Sequence, residues 1–165
     1  MSREANATNA HPEPTRRLAP QGRTLWRLQA VLRWAVVAIA AIVAAVTFGD
    51  RLPEPLGALV LMAPPVGLVI DLAASDLRWR RWRYEVRDEE IDLRRGVLTV
   101  TRTLVPMARV QHVDTHRGVL DRVFDVATVI IHTAAGAISI PLLPELDALE
   151  VRDRIATLTR APDEL

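Results

Sequence analysis

The chain has 165 residues, half of them hydrophobic, a quarter charged and 4% aromatic, and its mean hydropathy of +0.13 is high for a soluble domain of that charge content. A formal net charge of +1 offers no bulk attraction to nucleic acid or another polyanion. With no Cys, disulfides, thiolate metal sites and a cysteine nucleophile are excluded together.

Hydrophobicity is unevenly spread. Residues 1–24 carry Pro12, Pro14 and Pro20 and almost no large apolar side chain. Such a segment buries too little surface to offset its conformational entropy, so a disordered tail is expected there.

Leu25 to Phe48 follows, and from Trp34 to Gly49 it holds no charge and no polar face at helical spacing. Counted from Val31, with Arg33 reaching back toward the headgroups, it attains the ~17 to 25 residues that cross a bilayer. Leu56 to Ala74 is comparable, interrupted by Asp71 and by Pro64-Pro65, which remove backbone donors and kink a helix. A secretory signal has a short basic start and no second span close behind it. A pair of helices buried in a soluble bundle needs more surrounding protein than this chain has. Residues 25–76 therefore read as a transmembrane helical hairpin turning between Gly49 and Pro55.

Arg16, Arg17, Arg23, Arg27 and Arg33 precede the first span and Arg78, Arg80, Arg81, Arg83 and Arg87 follow the second, against Arg51 in the turn. The positive-inside rule then places both termini in the cytoplasm of a multi-pass plasma-membrane protein. Trp26, Trp34, Trp79 and Trp82 all fall at that same interface, as an aromatic belt would. Arg33 and Asp71 each lie 19 positions from Leu52 in the turn. Equal distance from the turn means equal depth in an antiparallel hairpin, so an intramembrane Arg33–Asp71 ion pair is expected, the alternative being that each marks the end of its span.

Beyond Trp82 the apolar period becomes two. Tyr84 and Val86, then Ile91 and Leu93, alternate with charged residues, and Asp88-Glu89 and Arg95-Gly96 read as turns. Val97–Val105, Val110–Thr115, Val126–Thr133 and Ile138–Leu142 supply further strands, and Phe124 is expected to be buried ahead of the longest. A final helix opens at Pro144, with Leu146, Leu149, Ile155 and Leu158 as its apolar stripe and Glu150–Arg154 as an i,i+4 pair. Residues 77–160 thus form a small antiparallel β-barrel or sandwich capped by a C-terminal helix, and residues 77 to 165 are expected to fold without the hairpin.

The strings Arg83-Tyr84-Glu85-Val86, Ile91 to Leu98 and Thr103 to Val113, with Pro106, Arg109-Val110-Gln111, Leu120, Arg122 and Phe124 as the most specific pattern, resemble the bacterial pleckstrin-homology domain of YdbS-like membrane proteins. The resemblance implies a PH-like fold and no catalytic chemistry. Asp125 stands where that family usually has Gly, in a position that favours left-handed backbone.

Little else carries chemistry. His112 and His116 are four apart on a strand, about 13 Å, too far for one ion. No metal site and no cofactor are therefore expected. Asp88-Glu89-Glu90 makes the first hairpin turn acidic, where phosphoinositide-binding relatives of the fold carry basic residues. No nucleophile motif or Gly-rich phosphate loop occurs. Arg78, Arg80, Arg81 and Arg83 are candidate lipid-headgroup contacts. Arg109, Gln111 and Arg122 are a candidate polar patch, either for binding or paired structurally with carboxylates such as Asp114 or Asp121. The expectation is a non-catalytic membrane-anchored module that recruits protein partners, itself or a related membrane protein among them; the alternative is an anionic-lipid sensor. Membrane lipids are expected partners, nucleic acids and small-molecule substrates are not.

Overall fold

The computed structural model describes residues 12–51 and 53–160. Two long apolar helices come first, α1 (Pro20–Phe48) and α2 (Glu54–Arg81), joined by a 3-10 turn at Gly49–Arg51. Then follow β1 (Arg83–Val86), β2 (Glu90–Arg95), β3 (Thr101–Pro106), β4 (Val110–His116), α3 (Val119–Val123), β5 (Val126–Thr133), β6 (Gly136–Pro144) and α4 (Glu145–Arg160). The strands make two antiparallel sheets, β1-β2-β3 and β4-β5-β6, which do not close into a barrel.

Pro20 begins α1, where its missing N–H is no loss. Pro64 and Pro65 stay inside a continuous α2, and Pro64 is buried. The hairpin is close-packed at Gly67, because a Cβ there would lie 1.9 Å from the Trp34 ring. Only a glycine lets that indole lie on the α2 backbone, as small residues do between membrane helices.

Charges line the same seam. Arg33 donates to Asp71 Oδ2 at 2.8 Å, and the Trp34 indole N–H donates to the same oxygen at 3.2 Å. A turn and a half further on, Asp76 receives both Arg23 and Arg27, each through Nε and Nη2 onto its two oxygens.

The core lies between the sheets and α4. Tyr84, Ile91, Leu93 and Val105 face Val129, Ile131, Ile140 and Leu143, with Ala148, Val151 and Ile155 of α4 and Trp82 completing it. Alternation puts Asp92 on the opposite face from Ile91 and Leu93, yet it too is fully buried. Arg102 holds it bidentately, Nη2 to Oδ2 at 2.6 Å, and Arg87 lies 3.6 Å away. That hydrogen bond keeps the Arg102 guanidinium above its ordinary pKa. Both arginines also donate to the Pro12 carbonyl, so the N-terminal segment roofs the site.

Here the expected disordered tail needs correction. Residues 1–11 lie outside the described residues, but Pro12 to Ala19 is ordered on the β-domain. Arg16 and Tyr84 exchange backbone hydrogen bonds at 3.2 and 3.0 Å, extending the first sheet, and Ala19 N–H donates to Leu142 O at 2.9 Å. Leu18 is buried in the main core, while Ala19 and Leu25 form a second cluster with Val126 and Leu142. Residues 77–160 thus share their core with the segment before α1, which removes the basis for expecting them to fold alone.

Other details also shift. Arg154 pairs with Asp88 at 3.1 Å, and not with Glu150. Helix α3 occupies a stretch to which the sequence assigned no element, with the Asp121 side chain accepting from the Gly118 N–H. Phe124 is only partly buried, against the second cluster. Asp125 has φ 51°, the left-handed geometry its family position implied. Leu142 has φ 55°, unusual for a non-glycine residue, beside the register shift between β5 and β6. The strained residue is the one whose carbonyl receives Ala19 and whose side chain meets Gly22, where a Cβ would lie 2.7 Å from Leu142 Cβ.

Three outcomes are expected. Gly22→Ala lowers the thermal midpoint of the purified chain, whereas Gly57→Ala, with open space around it, leaves it unchanged or raises it, since alanine is the better helix former by up to about 1 kcal/mol. Phe124→Ala costs about 2 kcal/mol in denaturant unfolding, below the ~3 to 5 of a fully buried ring. Arg33→Ala and Asp71→Ala are non-additive in hairpin stability by about 0.5 to 1 kcal/mol, as for exposed ion pairs; additivity would mean that the pair adds nothing.

Candidate functional site

Helix α2 ends at Arg81 because Trp82 turns to extended backbone (ψ 127°) and buries its ring in the core. Arg83 therefore opens β1 within two residues of Arg81. In the sheet, Arg83 stands opposite Arg94, which stands opposite Arg102. The β2–β3 connection, residues 96–100, returns over the end of α2, where the Arg81 guanidinium donates to the Val97 carbonyl. Gly96 permits that return: its φ is 136°, and a Cβ would lie 1.8 Å from Thr99 O.

The result is a cavity of about 430 Å³ lined by Arg80, Arg81, Arg83, Arg94 and Val100. A neighbouring cavity of about 350 Å³ adds Arg17 and Trp79 and shares Arg80 and Arg83. Burial, then the positive charges of Arg17 and Arg94, push the Arg83 guanidinium below its ordinary pKa. It stays protonated at neutral pH. Its Nη1 donates to the carbonyls of Arg80 and Trp82, which fixes its direction. Glu13 pairs with Arg94 at 2.7 Å. Arg17 and Arg80 have no ion-pair partner among the described residues. Positive charge converging on a cavity with one carboxylate, Glu13, set against several guanidiniums suits a phosphate-bearing ligand, because guanidinium forks hydrogen-bond phosphate oxygens bidentately.

Depth matters as much as charge. Arg80 lies six residues beyond Ala74, the end of the apolar run, or about 9 Å at 1.5 Å per residue. A headgroup layer is about 5 to 8 Å thick on each side of the hydrocarbon. Beside the arginines, Leu98 is 95% exposed at the tip of its loop, with Val100 next to the cavity.

Of the expected headgroup contacts, Arg80, Arg81 and Arg83 meet at this cavity. Arg78 lies elsewhere, its guanidinium 5.4 Å from the Trp26 ring. Arg17 and Arg94 come from tertiary structure and were not expected. Arg109, Gln111 and Arg122 are not brought together. Arg109 and Gln111 flank the end of β4 opposite Thr133, while Arg122 is on α3 beside the start of β5. Those two ends of β5 are about 23 Å apart. None of the three side chains has a hydrogen-bonding or ionic partner among the described residues, and Asp121 caps α3 instead. The clamp on Asp76 was also missed, although Arg27 lies 25 positions before Leu52 and Asp76 lies 24 after it, the spacing test that picked out Arg33 and Asp71.

Comparison with known proteins matches these features. The family model described as Bacterial PH domain covers residues 28–159, hairpin included. The UPF0699 transmembrane protein YdbS of Bacillus subtilis (strain 168) is 40% identical over 157 residues, covering 92% of this chain and 97% of that protein. The UPF0699 transmembrane protein YdbT of the same organism is 27% identical over 84 residues, 51% of this chain and 17% of that protein. No solved structure matches significantly. Two apolar helices, a pair of three-stranded sheets closed by a helix, and these matches together make the chain a membrane protein of the bacterial PH domain family.

Proposed function

We propose that this protein is a non-catalytic membrane module: a two-span anchor, both termini cytoplasmic, that seats its PH-like domain on the inner leaflet, with the arginine cavity holding the phosphate of an anionic lipid headgroup. The observation that supports this most is the convergence of Arg17, Arg80, Arg83 and Arg94 at the outer edge of the headgroup layer beside an exposed Leu98. The arginine excess at both ends of the hairpin favours that orientation. Each arginine near an anionic surface contributes about 1 kcal/mol, screened by salt. The cavity accounts for the headgroup contact without basic residues in the Asp88-Glu89 turn, which lies at the far end of β1 and β2.

The domain also presents Val119, Val123 and Leu146, all more than 70% exposed, around α3 and the start of α4. That apolar patch favours a second activity, assembly with a protein partner such as another copy of the chain or a related membrane protein.

The headgroup reading is tested with the full chain in mild detergent, offered equal phosphatidylglycerol and phosphatidylcholine and analysed by native mass spectrometry. Phosphatidylglycerol should be retained preferentially. The double variant Arg17→Ala/Arg80→Ala, which breaks no ion pair among the described residues, should lose the preference, and Arg78→Ala should keep it. Equal retention of both lipids by the unaltered protein would remove the headgroup site. In vesicles, a Trp placed by Leu98→Trp should be quenched by lipids brominated near the headgroup, and no quenching would place the loop in water. A reporter active only outside the membrane should be silent when fused to the C-terminus and active within the 49–55 turn.

A further inference from the structure

A second cluster lies on the outer face of the β4-β5-β6 sheet, away from the arginines. His112 on β4 stands directly opposite His132 on β5, through the register shift between Val110 and His112. Asp114, two residues further along β4, shares the face of His112 because side chains alternate along a strand. The imidazole rings stack with centroids 4.1 Å apart and planes 12° from parallel. Both Nε2 atoms approach one carboxylate oxygen, His132 at 3.2 Å and His112 at 3.7 Å from Asp114 Oδ2. One ligand atom from each of the three side chains lies within 4.8 Å of the others.

These separations are close to those of a filled metal site. Bonds of ~2.0 to 2.1 Å at tetrahedral angles hold donors about 3.3 Å apart. Closing the cluster to that spacing is a matter of side-chain rotation on two strands whose backbone is already fixed by pairing. No arginine competes for Asp114 among the described residues, although other carboxylates of this chain, Asp76 and Asp92 included, are occupied by arginine. All three side chains reach solvent, which leaves a coordination position open.

We propose that His112, Asp114 and His132 bind one borderline divalent transition ion of the Zn²⁺ class, with three protein ligands and an open fourth position. Two imidazole nitrogens and one carboxylate oxygen favour that class over Mg²⁺ or Ca²⁺, which take all-oxygen sets. His116 takes no part: it stands opposite Thr128, four residues along the strand from His112. The ion ties β4 to β5 on the face opposite the core.

The test uses the full chain in mild detergent, stripped with a chelator and titrated with Zn²⁺ against a chromophoric competitor near pH 7.5. One equivalent should bind, and excess Mg²⁺ should not displace it. His112→Ala and His132→Ala should each weaken binding at least tenfold and Asp114→Ala should weaken it measurably, while His116→Ala matches the unaltered protein. Circular dichroism of each variant should be unchanged, because the positions are on the surface. Co²⁺ at the same site should show the intense visible absorption of a four-coordinate ion. Absence of stoichiometric binding, binding that survives His132→Ala, or equal loss in His116→Ala would overturn the assignment.

Discussion

The clamp on Asp76 decides where everything outside the membrane sits. Two antiparallel apolar helices gain little from lipid contact alone in choosing a register, so the Trp34–Gly67 packing and directional polar contacts must set it. One carboxylate gripped through both oxygens by Arg23 and Arg27 does so, because charge-assisted bidentate pairs tolerate little displacement. With α1 fixed against α2, the segment before Pro20 can reach only one place, the edges of the two sheets. The clamp specifies position by its geometry, two guanidiniums meeting both oxygens of one half-buried carboxylate. Stability comes from what the register delivers: Leu18 and Leu25, both buried, are worth roughly 1.5 to 3 kcal/mol apiece.

This explains why the anchor and the β-domain share one core. An exposed sheet edge offers unpaired N–H and C=O groups to any passing chain. Arg16 caps β1, and Ala19 takes the free carbonyl of Leu142 on β6. Leu142 accepts a strained backbone to make that bond, and Gly22 leaves room for its side chain. The Pro12 carbonyl also joins Arg87 and Arg102 over Asp92. A carboxylate so buried is tolerable only with its cations in place.

Much of this pattern could be read from the amino-acid order, and the misses share a cause. The two apolar runs, the period-two strands and the last helix carry local signals that survive tertiary packing. Val126–Thr133 was read to its true ends because a nearly continuous, β-branched run between Asp125 and Gly136 favours a strand of that length. Pro12 to Ala19 was misread because edge pairing uses backbone groups, which composition does not register; only Leu18 hinted at burial. Arg94 and Arg17 reach Arg83 through strand register and through the docked segment, neither of which is local. The hairpin arithmetic was sound but stopped one pair short, at Asp71 instead of continuing to Asp76.

The tether also changes what the proposed headgroup site would be for. A PH-like domain that must find a membrane from solution needs enough affinity to offset its lost translational freedom, and a few arginines screened by salt fall short of that. Here α2 runs directly into β1 with Trp82 between them, so the domain is held at the surface at an effective concentration no free domain reaches. Weak contacts then suffice to orient it. On the proposed reading, the arginine cavity and Leu98 turn one end of the first sheet toward the lipid. With α2 ending at that same end, Val119, Val123 and Leu146 on α3 and α4 remain open to a partner and the outer face of β4 and β5 remains open to an ion.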